Sequence, residues 1–191
     1  MRIHNRFPRV MVTFLMCALL LALSGCNKTR EHQSPQEKAL GYFWYEAVFL
    51  DYKDVENAFI EASGRFPKYE YVPYTFHVST SFMPDPKHEE LYGTPVTVHI
   101  IGYANGSIQD VQENTTSDNE GLLVELSSTD KRMQALIDST DMTYHITGSY
   151  TGGGKYTDQL DFANGTPLDI TIEGVFGMSD NDGNVTLERQ N

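Results

Sequence analysis

The chain has 191 residues, with 26 acidic against 14 basic side chains and a formal net charge of −12. Its length and its 40 % share of apolar residues suit one domain with a real core. So acidic a surface argues against nucleic acid as a partner, and two cysteines are too few for a disulfide scaffold or a Cys-rich zinc site.

Arg2, Arg6 and Arg9, with no acidic residue among them, precede an apolar run from Val10 to about Leu23. A positive stretch followed by a short apolar one is a secretory signal. The run is shorter than the roughly 18 to 20 residues that span a bilayer as a helix. It ends in Leu23-Ser24-Gly25-Cys26. This resembles the lipobox of bacterial lipoproteins, an aliphatic residue and two small ones before cysteine. The resemblance covers residues 1–26. It implies removal of 1–25 as a signal peptide and lipidation of Cys26 by palmitate-type acyl chains, with 26–33 as a polar tether. Each buried methylene contributes about 0.8 kcal/mol, and two or three chains make a lasting anchor where one is reversible. The expected location is the extracytoplasmic side of a membrane, cell-surface or periplasm-facing. Asn27 is not the aspartate that marks inner-membrane retention in two-membrane envelopes. Cys17 leaves with the signal, so no free thiol remains and the mature fold is held by packing. Loss of three arginines leaves 11 basic residues against 26 acidic ones, a net charge of −15.

Ser34-Pro35-Gln36-Glu37 has the form of a helix start with a capping box. Leu40, Phe43, Ala47, Val48, Val55, Phe59 and Ala62 follow at near-helical spacing. Within the segment 34–67, the spacing predicts an N-terminal helix over most of 35–63, with a break near Asp51–Asp54, ending at Gly64. The period then changes to two. Tyr74, Phe76, Val78, Thr80 and Phe82 share one face of a predicted strand, and Thr75, His77, Ser79 and Ser81 share the other. Residues 68–191 read as a β-rich domain. Asn105-Gly106, Asn164-Gly165 and Asp182-Gly183 are hairpin-turn signals. They predict strand pairs 95–103 with 107–113, 157–163 with 167–176, and 172–178 with 184–188. Leu122–Ser127 and Met142–Tyr150 are further strands, and Thr129-Asp130 starts a short helix with Met133, Leu136 and Ile137.

The fold class expected is α+β, an N-terminal helix packed on a mostly antiparallel small β-barrel or β-sandwich. The order of strands and short helix over about 94–178 resembles an OB-fold, a small barrel with a helix between its third and fourth strands.

Several site patterns fall short. His77, His99 and His145 lie on polar strand faces and would converge on zinc only if those strands were neighbours. Surface histidines are the simpler reading, and no metal or cofactor is expected. Asp180-Asn181-Asp182-Gly183-Asn184 with Glu188 has Val185 where a calcium loop needs glycine, and a tight turn accounts for it. Gly152-Gly153-Gly154-Lys155 lacks the upstream glycine of a phosphate loop and is followed by Tyr156 instead of Ser or Thr. No serine sits in a Gly-x-Ser-x-Gly elbow.

Thirteen of the twenty aromatic residues beyond the signal fall between Tyr42 and Phe82. Tyr42, Trp44, Tyr45, Tyr69 and Tyr71 lie off the predicted core faces and are the expected ligand or partner surface. The expected function is a lipid-anchored extracytoplasmic module that binds an envelope protein, peptide or glycan. The alternative is a small envelope hydrolase using carboxylates or histidines on the strand faces.

Overall fold

A computed structural model of the chain describes residues 45–82, 84–110, 114–152, 155–180 and 184–188. They form a mostly antiparallel sheet with two α-helices among the described residues. The elements are β1 (Tyr45–Leu50), α1 (Tyr52–Ser63), β2 (His77–Ser81), a 3-10 helix (Pro86–Leu91), β3 (Pro95–Asp110), β4 (Thr115–Ser127), α2 (Lys131–Asp138), β5 (His145–Tyr150), β6 (Thr166–Ser179) and β7 (Val185–Thr186). The strands lie in the order β2-β1-β6-β3-β4-β5, with β7 against β6.

The predicted N-terminal helix is corrected over its middle. Tyr45–Leu50 is a strand, and the helix runs from Tyr52 to Ser63. The reason is burial on both sides. Ala47, Val48, Phe49 and Leu50 are all buried, with β1 between β2 and β6. A continuous apolar run reads equally as a central strand or part of a helix. Asp51 marks the change. Its carboxylate accepts from the Lys53 N–H at 2.8 Å and the Asp54 N–H at 3.4 Å, capping α1. Gly64, at φ 77°, ends the helix. Val55, Ala58 and Phe59 face the core. The Ser34 helix start lies outside the described residues.

The OB-like barrel is also corrected. An OB-fold closes five strands, whereas this sheet has seven strands and stays open between its end strands β2 and β5. An isolated backbone bridge between Tyr71 and Tyr150 crosses that side. Two local misreadings account for the difference. Asn105-Gly106 is no turn: β3 runs straight through it, pairing Asn105 with Glu120 and Gly106 with Asn119. The β3–β4 ladder continues to the Asp110–Thr115 pair, and Asn114 takes φ 50°. Residues 157–163 are no strand either. They contribute to two 3-10 turns, Thr157–Gln159 and Phe162–Asn164. The β6–β7 pairing and the α2 helix agree with the sequence. Asp130 caps α2 by accepting from the Arg132 and Met133 N–H groups.

The predicted strand over 68–82 shrinks to β2. Its inward set holds, since Phe76, Val78 and Thr80 are buried. Tyr74 and Phe82, assigned to the same face, lie outside β2 and are 75 % and 58 % exposed.

Two irregularities reset which residues point inward. Val96, Val98 and Ile100 of β3 are buried, but one extra residue near Ile101 shifts the phase, so that Tyr103 faces the core next. On β5 the register slips between the Asn119↔Tyr150 and Gly121↔Thr147 pairs, placing an extra residue at Gly148–Ser149. Ser149 is thereby turned inside and fully buried. The core joins Val48, Phe59, Phe76, Ile100, Leu122, Ile146 and Phe176.

Candidate functional site

Two carboxylates point into the fold near opposite ends of β6. Glu46 of β1 pairs in register with Met178, and Tyr103 of β3, which reaches the second carboxylate, pairs with Thr166. Both Glu46 and Glu120 are fully buried.

Glu46 shares the inward face of β1 with Val48 and Leu50. Its Oε2 lies 2.8 Å from His88 Nδ1, and its Oε1 accepts from the Tyr92 hydroxyl at 3.3 Å. Local sequence sets His88 in place. Asp85 caps the 3-10 helix, accepting from the Lys87 N–H at 3.0 Å, and Pro86 opens it. Tyr92 follows that helix and packs on Phe176, ring centroids 5.7 Å apart. Burial first, then the Glu46 charge, pushes the Tyr92 hydroxyl well above its usual range, so it stays a donor. A carboxylate only accepts, so His88 presents Nδ1–H to Glu46 and its Nε2 edge is left for the outside. The His88 side chain is 25 % exposed.

His88 borders a shallow hollow of about 320 Å³ between the 3-10 helix and α2. Lys87, His88 and Arg132 stand around it over Leu91 and Leu136, with Ser139 on its border. Arg132 Nη1 reaches Glu90 at 3.0 Å, and its Nε lies 4.0 Å from Asp130.

Glu120 is held differently. Its Oε1 accepts from the Lys68 N–H at 3.0 Å and from the Ser149 hydroxyl, and its Oε2 accepts from the Tyr103 hydroxyl at 3.2 Å. Burial and this carboxylate push the Tyr103 hydroxyl up to about 12. The knot fixes the 66–69 segment to β4 and β5 and lies away from the hollow.

Of the sequence-predicted surface, the described Tyr45, Tyr69 and Tyr71 do not line the hollow. Cys26, Tyr42 and Trp44 lie outside the described residues. Tyr45 is half-buried, its ring 4.8 Å from His77 and 6.3 Å from Phe49. Tyr69 is half-buried, with Lys68 Nζ 5.9 Å over its ring, and Tyr71 is half-buried, 5.7 Å from Tyr150. The large exposed aromatics are Tyr52, Tyr74 and Phe82. Glu46 and His88 were absent from the sequence candidates. Glu46 sat in a predicted helix, and only the Asp85-Pro86 start marks the turn that carries His88.

The three histidines stay apart as ligands. His99 Nε2 lies 2.8 Å from Asp169 on the outer face, and His145 Nδ1 lies 3.0 Å from the Thr143 carbonyl. His77 Nδ1 meets the Thr75 carbonyl at 2.9 Å. Among the described residues no group of three or more His, Cys, Asp or Glu is placed to hold a metal. At the two ends of the calcium-like pattern, Asp180 accepts from the Asn184 backbone and side chain at 2.8 and 2.9 Å. Lys155 lies over the Tyr150 ring at 5.6 Å.

His77 nevertheless has a measurable consequence. Burial above all, with the positive potentials of Lys155 and His145, lowers its pKa from 6.5 to about 4, while the Thr75 carbonyl opposes them. Between pH 6.5 and 4 the unfolded chain takes up a proton that the folded ring refuses. Stability is therefore expected to fall across that window and level off below it. The ceiling is about 3 kcal/mol, lowered by the part of the ring still in water. Urea unfolding at pH 7, 5.5 and 4 checks this. The native chain should lose more stability than His77→Gln, and parallel pH curves for the two would show that the ring is not responsible.

No family model matches the chain, and no curated protein or solved structure matches it either. Among the described residues no helix is long and apolar enough to cross a membrane.

Proposed function

We propose that the chain is a lipid-anchored extracytoplasmic binding module of the bacterial cell envelope. The observation that carries this reading is Leu23-Ser24-Gly25-Cys26 directly after a charged and then apolar leader. In the sequence, residues 27–44 lie between Cys26 and Tyr45, where the described residues begin. The anchor holds the module at a membrane surface, and its partner is an envelope protein, peptide or glycan.

The test is radiolabelled palmitate fed to a bacterial host making the full chain. Label should enter the native chain and be absent from Cys26→Ala. The variant should also leave the membrane fraction or keep an uncleaved leader. Equal label and equal membrane retention in both would sink the proposal.

The hydrolase alternative draws on Glu46–His88. A carboxylate that orients an imidazole is half of the arrangement used by general bases. Among the described residues no serine, threonine or second carboxylate is hydrogen-bonded to that ring. Binding is therefore the preferred reading.

A further inference from the structure

The hollow beside His88 differs in charge from the rest of the molecule. The mature chain has 11 basic residues against 26 acidic ones. Yet Lys87, His88 and Arg132 border one concavity whose lining has a single acid, Glu90. That acid is already occupied by Arg132 Nη1 at 3.0 Å. A guanidinium has five N–H donors in a fixed fork, so Arg132 keeps others to offer. Glu46, fully buried behind His88 at 2.8 Å, holds the imidazole by Nδ1 and fixes its place beside the hollow. The base of the hollow is apolar, with Leu91 buried and Ala135 and Leu136 beside it.

We propose that this hollow binds a carboxylate carrying an apolar group, the carboxylate meeting Arg132 and Lys87, and the apolar group lying on Leu136 and the edge of Leu91. This rests on the binding-module reading and gives that module a ligand class. The Arg132 fork suits either a carboxylate or a phosphate. Two features favour the carboxylate. A single negative charge is repelled less than a double one by Glu90, Asp130 and the acidic surface. The apolar base gives nothing to the outer oxygens of a phosphate. A volume of about 320 Å³ suits a ligand of one or two amino-acid residues. A peptide C-terminus and a short fatty acid share this chemistry.

The test is calorimetric titration of the detergent-solubilised full chain with N-acetyl-leucine, N-acetyl-leucine amide, hexanoate and acetate. N-acetyl-leucine is expected to bind saturably and its amide at least about tenfold more weakly, since a hydrogen-bonded charge is lost. Acetate, without the apolar group, is expected to bind more weakly still. Hexanoate matching N-acetyl-leucine would mean that any apolar acid fits, and hexanoate failing would mean a peptide terminus. Either outcome supports the site. Arg132 is 62 % exposed, so Arg132→Ala should fold and lose about tenfold in affinity. Glu90→Gln should change affinity the other way, because it frees the guanidinium. No saturable binding of either apolar acid, equal binding of acid and amide, or unchanged affinity in Arg132→Ala would each overturn the proposal. Lipid labelling at Cys26 does not depend on these outcomes, so failure here is distinguishable from failure of the anchored-module reading.

Discussion

Glu120→Ala is expected to destabilise the fold by about 4 kcal/mol, from two buried hydroxyls that lose their acceptor, at about 1–3 kcal/mol each, and from the cavity left behind. Glu120 is fully buried, and among the described residues no cation pairs with it. It is tolerated because three donors converge on its oxygens: the Lys68 N–H at 3.0 Å, the Tyr103 hydroxyl at 3.2 Å and the Ser149 hydroxyl. Alanine leaves two hydroxyls without this acceptor, in a place where water replaces it poorly. The Lys68 N–H keeps the Ser149 oxygen at 3.1 Å, and the Tyr69 N–H keeps it at 2.8 Å, so the loss is large but not total. Glu120→Gln separates charge from shape. Its amide oxygen still accepts from Lys68 and Ser149, and its NH2 donates to a rotated Tyr103 hydroxyl, so a cost of about 1 kcal/mol is expected. Urea unfolding of the three chains checks the order. A glutamine variant as unstable as the alanine one would mean that the negative charge itself is needed.

How far the fold could be read beforehand varied with how local its causes are. The α2 helix was legible because its cap, Asp130, and its apolar spacing lie in one short stretch. The inward set Phe76, Val78 and Thr80, on and just before β2, was legible for the same reason. The start of α1 was not, because Ala47 and Val48 fit a helical spacing as well as a buried strand, and only β2 and β6 on either side decide between them. Asn105-Gly106 is a strong turn signal when strand partners are local. Here β4 offers a continuous ladder along β3, and tertiary pairing overrides the dipeptide.

The candidate site was less legible than the fold. Glu46 and His88 are 42 residues apart, on a strand and a 3-10 helix, so no spacing rule connects them. Ser149 reaches Glu120 only because a bulge reverses its side of β5. Strict alternation from Ile146 would have put Ser149 on the outer face. The surroundings of Tyr45 were illegible for a similar reason. Tyr45 was placed off the face of a helix, but on β1 it stacks against His77 of the neighbouring strand.

Phe59→Ala is expected to cost about 4 kcal/mol and lower Tm by about 10 °C. The ring is fully buried and sits among three others. It stacks on Phe66 at 4.8 Å and 21°, lies 6.5 Å from Phe76, and meets Tyr103 edge-on at 6.2 Å and 82°. Such aromatic contacts add to the area term. The space for the ring exists because residue 148 is glycine. A Cβ there would lie 2.4 Å from Phe59 Cζ and 2.9 Å from Glu120 Cγ. Gly148→Ala alone should therefore also destabilise, by about 2 kcal/mol, through overpacking. The double variant gives the sharper result. Removing the ring removes the nearer clash and leaves the methyl partly filling the cavity. The double variant is expected to be less unstable than the two single effects added, by about 1 kcal/mol or more. Strict additivity in thermal unfolding would mean that the backbone at Gly148, not the ring, sets the cost. Tyr103 links this region to the Glu120 knot, being both edge partner of Phe59 and donor to Glu120. Phe59→Ala should therefore also weaken that knot, and its cost combined with Glu120→Ala should fall below the sum.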